Sequence, residues 1–114
     1  PAMSRITYVS GAELAPTRLW LTSDGSLVDL TSYTVAVTIG RAGSVVLTKT
    51  SGLTVGAGSG VEPTGTPNLI IGWAADELAL PAWVYDLQVQ ARSPGGLDYR
   101  WLGKLAIRRG YPVP

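Results

Sequence analysis

The chain has 114 residues, enough for one domain, and a domain of this size buries roughly two-thirds of the surface its unfolded chain exposes. It contains no cysteine and no histidine, which excludes disulfides, thiol nucleophiles, Cys-type zinc sites and the commonest general base. Nine basic and eight acidic residues lack the basic excess of a non-specific nucleic-acid binder, and no apolar run approaches the ~18 residues of a membrane helix.

Fourteen glycines, eight prolines and many threonines and valines, with almost no helix-forming run, describe short strands joined by tight turns. We expect Pro1-Ala2 to be a remnant of expression, with Met3 the native start and residues 1–16 an N-terminal segment. These residues do not have the basic-then-apolar build of a signal peptide. A short strand is expected around Ile6 to Val9, and after Gly11 and Pro16 a second from Arg18 to Thr22. Ser23-Asp24-Gly25-Ser26 is a turn, because Asp-Gly supplies the positive φ angles that tight turns need.

Asp29-Leu30-Thr31 leads into Tyr33 to Ile39, which alternates strictly: Tyr33, Val35, Val37 and Ile39 share one face. Gly40 to Gly43 turns the chain, and Val45 to Lys49 returns as the partner strand. Residues 51–67 are rich in Gly, Ser and Pro and form an excursion or weak edge strands. Their Gly-x-Gly spacing is not a phosphate cradle, since no helix-forming stretch or lysine follows. Leu69 to Trp73 is a short apolar strand, and residues 74–80 make one short helical turn ended by Pro81.

Trp83 to Arg92 alternates with Trp83, Tyr85, Leu87, Val89 and Ala91 inward. Ser93 to Gly96 turns the chain into Tyr99 to Arg108, with Tyr99, Trp101, Gly103, Leu105 and Ile107 on the inner side. Of the registers open to this hairpin, one sets Arg92 against Arg100 and is disfavoured. We prefer the one that pairs Asp86 with Lys104 and Gln90 with Arg100. The tail from Gly110 to Pro114 reads as an exit linker, since proline cannot donate to a ladder.

The pattern therefore predicts an all-β fold, an immunoglobulin-like antiparallel β-sandwich of about seven short strands spanning residues 17–109. A small Greek-key barrel is the alternative.

No catalytic, cofactor-binding or metal-ligating set emerges. Structural roles account for the carboxylates: Asp24 and Asp98 sit in turns, Asp86 has a cationic partner, and Asp76-Glu77 opens a helical turn. The serines lack a base, and no Ser-x-x-Lys arrangement is present. What remains is a candidate interface. Arg100, Lys104 and Arg108 lie at even spacing on the outward face of the last strand with Leu102 among them, and Arg92 and Arg109 are nearby. Such a stripe is either a solvated face that protects a sheet edge or a docking face for an acidic partner. Trp20 alternates with Leu19 and Leu21, so either it or they face outward, and it is the fourth candidate.

From Leu19 onward the order of motifs resembles the small immunoglobulin-like domains of tailed-bacteriophage virion proteins, such as the N-terminal domain of upper baseplate proteins and related tail or fibre modules. The pieces are Asp24-Gly25, Asp29-Leu30-Thr31 before the Tyr33–Ile39 strand, Lys49-Thr50 with Gly52-Leu53, Ala75 to Pro81, Tyr85-Asp86-Leu87-Gln88, and Gly103 to Ile107. The family commonly has glycine before its Tyr-Asp-Leu strand, where this chain has Ala82-Trp83. The resemblance implies a non-enzymatic structural or attachment module in a tail, baseplate or fibre. Its partners are other virion proteins, in a homo-oligomeric assembly, with no cofactor, nucleic acid or membrane involved. It would be made in the host cytoplasm and end in the virion. A head-decoration or head-fibre domain is one alternative, and a carbohydrate-binding β-sandwich, suggested by four tryptophans and five tyrosines, is another. The last requires a row of exposed rings, whereas the strand parities turn Trp83, Tyr85, Tyr99 and Trp101 inward.

Overall fold

A computed structural model describes residues 4–9, 15–74 and 76–108. The strands are β1 (Ser4–Val9), β2 (Thr17–Leu19), β3 (Thr22–Ser23), β4 (Ser26–Leu27), β5 (Thr34–Arg41), β6 (Ser44–Lys49), β7 (Leu53–Val55), β8 (Leu69–Ile71), β9 (Trp83–Arg92) and β10 (Asp98–Arg108). Five of them form one sheet in the order β1-β10-β9-β5-β6, and three form a second in the order β2-β8-β7; β3 and β4 make a separate small hairpin. The core lies between the two sheets, as the alternation requires. Val35, Val37 and Ile39 of β5, Tyr85, Leu87 and Val89 of β9, and Leu105 and Ile107 of β10 meet Leu19, Leu69 and Ile71 of the second sheet. The fold is an immunoglobulin-like β-sandwich.

Tyr85 carries a signature of this architecture. It sits near the start of β9, buried, and its hydroxyl donates to the Pro81 carbonyl at 2.7 Å. That is the tyrosine corner of immunoglobulin-like sandwiches, which locks the crossover between sheets. The crossover itself differs from expectation. Residues 76–78 form a hydrogen-bonded turn (Glu77 N to Ala74 O at 3.1 Å, Ala79 N to Asp76 O at 3.3 Å), and no helix occurs among the described residues. With Pro81 so close, the segment never reaches the length at which helix nucleation is repaid. Leu78 is buried beneath the sandwich, and Leu80 is half-buried.

Two further expectations are corrected. Among the described residues ten strands replace about seven, because the Asp24-Gly25 turn closes its own two-residue hairpin and residues 53–55 pair with β8. The sandwich is also not wholly antiparallel: β1 lies parallel to β10, from Ser4 opposite Gly103 to Val9 opposite Arg108. The β9–β10 register pairs Asp86 with Lys104 and Gln90 with Arg100, as charge separation demanded.

The molecule has two unlike ends. At the loop end, the β3–β4 hairpin, residues 56–68 and the β9–β10 turn converge. Tyr99 at the start of β10 donates to Thr22 O at 2.8 Å, and Asn68 bonds Leu21 and Val28. At the hairpin end lie the β5–β6 turn, the start of β9 and the finish of β10, because Gly40 pairs with Asp86 and Trp83 with Ile107.

Candidate association surfaces

The final hairpin neutralises most of its own charge. Lys104 Nζ donates to Asp86 Oδ1 in an exposed pair directly across the two strands. Asp98 accepts from Gln90 Nε2 at 3.2 Å and from Arg100 Nε at 3.1 Å. The Gln90 hydrogen bond leads, and with the bond and charge of Arg100 and the charge of Arg92 it outweighs desolvation and holds the Asp98 carboxyl below its usual pKa. Arg100 and Lys104 are thus paired within the hairpin, and Leu102, 55% exposed between them, is what that face offers an apolar partner.

Trp20 belongs to a different surface. It follows β2, is half-buried, and lines a cleft of about 420 Å³ with Thr22, Ser26, Leu27, Val61 and Glu62. Its indole Nε1 is buried with no hydrogen-bond partner among the described residues, a defect worth about 1–3 kcal/mol. Among the described residues no hydrogen bond or ion pair of Arg100 or Lys104 reaches Trp20, which lies with the cleft residues instead.

Instead, exposed apolar side chains gather at the hairpin end: Val45 (68%), Val46 (41%), Trp83 (52%) and Val84 (44%). Trp83 corrects the inward assignment. The β5–β9 ladder stops at Gly40–Asp86, so Trp83 lies beyond the edge of the core, where the Arg41 guanidinium sits over it, 4.2 Å from the ring centroid. A β-bulge shifts the β5–β6 register after Ile39, and Val46 is the extra residue. One sequence signal was available: Val45-Val46-Leu47 breaks the two-residue period, so at least one of the three had to face solvent.

The buried polar groups serve the fold. Lys49 is buried and donates to Glu77 Oε1 at 2.7 Å, and the same oxygen accepts from Ala74 N at 2.6 Å. Burial pushes the Glu77 carboxyl up, but the Ala74 hydrogen bond and the Lys49 ammonium outweigh it and leave the pKa below its usual value. Trp73 stacks near that ammonium, 5.7 Å from centroid to Nζ, and donates its Nε1 to Thr17 Oγ1 at 2.8 Å. Asn68, fully buried, accepts from Leu21 N and donates to Leu21 O and Val28 O, each at 2.8 Å. In the exposed loop, Thr31 hydroxyl and amide both donate to Asp29, and the hydroxyl leads in holding that carboxyl's pKa down. Among the described residues no three His, Cys, Asp or Glu side chains are grouped as a metal site would need.

No family model matches the chain, and no curated protein matches it. Among solved structures, that of CopC from Methylosinus trichosporium OB3b is similar over 96% of this chain and 89% of its own, at 12% identity and a TM-score of 0.47. A likeness at that level does not extend to function.

Proposed function

We propose that the chain is a non-enzymatic structural or attachment module of a phage virion, placed in a tail, baseplate or fibre, which works by associating with other virion proteins and with copies of itself. The observation that carries the association half of this reading is that Val45, Val46, Trp83 and Val84 are all exposed at the hairpin end, with the Arg41 guanidinium over the Trp83 ring. Single exposed apolar residues are ordinary, but several at one end of a small domain favour a contact surface there. The order of the sequence motifs supports the virion half. Several of those motif residues, Lys49, Glu77 and Tyr85 among them, hold the crossover in place, so they speak for the framework more than for any partner.

The reading is tested on purified particles of the phage that encodes the chain. Peptide mass spectrometry should find the protein in intact virions, and antibody labelling should place it on the tail or its tip. Labelling on the capsid would favour the head-decoration alternative. Complete absence from particles would overturn the virion assignment.

A further inference from the structure

The exposed apolar residues are divided between the two ends. Besides the four at the hairpin end, Val61 (70%) and Leu97 (71%) stand out at the loop end, and Leu102 lies on the sheet face between. The charges divide as well. Among the described side chains the loop end carries Asp24, Asp29, Glu62 and Asp98 against Arg92 and Arg100, an acidic balance. At the hairpin end, among the described residues, Lys104 is matched by Asp86, while Arg41 and Arg108 have no ion pair. One end is therefore apolar and acidic, the other apolar and basic.

We infer that copies of this chain associate head to tail, the hairpin end of one seated on the loop end of the next. This deepens the association reading above and rests on it. Two hairpin ends brought together about a two-fold axis would oppose Arg41 and Arg108 to their own copies, and two loop ends would oppose Asp24 and Glu62 to theirs. Like charges facing each other across an interface cost several kcal/mol. The heterologous pairing instead sets cations against carboxylates and apolar side chains against apolar side chains. Such a contact uses different patches on the two molecules, so it propagates into rings or filaments rather than closing at a dimer. Each contact is small, and a particle that fixes many copies makes weak contacts sufficient.

The test uses the whole 114-residue chain in sedimentation velocity over a wide concentration range. The wild-type mass should climb past that of a dimer, and added salt should shift the curve to higher concentration because the facing charges are screened. Val45→Glu with Val84→Glu blocks the hairpin end, and Val61→Lys with Leu97→Lys blocks the loop end. All four positions are exposed, and melting curves establish that the variants fold. Each double variant should associate at least about tenfold more weakly by itself. An equal mixture of the two should recover association that neither shows by itself, since each supplies the intact end that the other lacks. A wild-type chain that stays monomeric at every concentration overturns the inference without any variant. So does association lost with one double variant and unchanged with the other, which is the mark of a two-fold contact. Association indifferent to salt removes the charge complementarity and overturns it equally. Presence in virions without self-association would sink this inference alone; self-association without presence in virions would sink only the virion assignment.

Discussion

The Glu77 carboxylate and Lys49 ammonium show how one pair of side chains can hold a crossover. Lys49 is nearly sealed, with 4% side-chain exposure, and Glu77 keeps 17%. Removing one partner leaves the other charge buried and unpaired, which typically costs 3–5 kcal/mol; because Glu77 retains some water, we expect about 3 kcal/mol for Glu77→Ala in urea unfolding. The pair also sets a pH window. Glu77 is held below its ordinary 4.5 when folded, so its contribution is fully present above that value and is lost as pH falls through the lower folded value. Melting temperatures of wild type and Glu77→Gln should therefore differ near neutrality and converge in acid; a gap that persists in acid would mean the carboxylate's charge is irrelevant. Asn68 acts in the same way without charge. Asn68→Leu removes the side-chain partners of Leu21 N and Val28 O, while Leu21 O keeps its bond from Val28 N, and should cost about 3 kcal/mol by the same measurement.

At the level of elements, two turns use the same backbone solution. Asp24-Gly25 and Ala42-Gly43 both take positive φ at consecutive residues, 52° then 81° in each case, as a tight β-hairpin with right-handed strand twist needs. Aspartate tolerates that region by local hydrogen bonding, but alanine has no such relief, and its Cβ costs about 1–2 kcal/mol there. Ala42→Gly should accordingly raise the melting temperature, with a gain of about 1 kcal/mol, and leave the β5–β6 pairing unchanged. A lower melting temperature would show that the turn is not strained at Ala42. The long β9–β10 hairpin is stabilised differently, through cross-strand partners. Its exposed Lys104–Asp86 pair is worth only ~0–1 kcal/mol, so its effect is on register more than on stability.

Over the whole molecule, stability comes from the apolar layer between the sheets. Leu87 lies fully buried in the central strand of the larger sheet, and Leu87→Ala should cost about 2–5 kcal/mol in chemical denaturation. A loss of a few tenths would mean that strand faces the other way. The carboxylates, by contrast, are dispersed or engaged with lysine, arginine, threonine and glutamine neighbours. Melting temperature should therefore be indifferent to added calcium and to a chelator, and a calcium-dependent rise would point to Asp24, Asp29 or Asp98.

Local chemistry by itself determined the long strands, the tight turns between them and the β9–β10 register of this protein. Alternation at Tyr33 to Ile39 and Tyr85 to Ala91 has one physical meaning, and an arginine–arginine clash ruled out the competing pairing. Trp83 marks where that reasoning ends. Its parity is inward, yet whether an inward residue is covered depends on how far the opposing sheet and the neighbouring strand extend, which no local pattern encodes. The same limit hid the Lys49–Glu77 pair, whose members lie 28 residues apart, and the Asn68 bridge to Leu21 across 47. Only the tertiary structure decided which apolar residues were left outside, and so where the contact surfaces lie. Burial is a property of the packed layers, set by strand lengths and sheet offset, while alternation states only which way a side chain points.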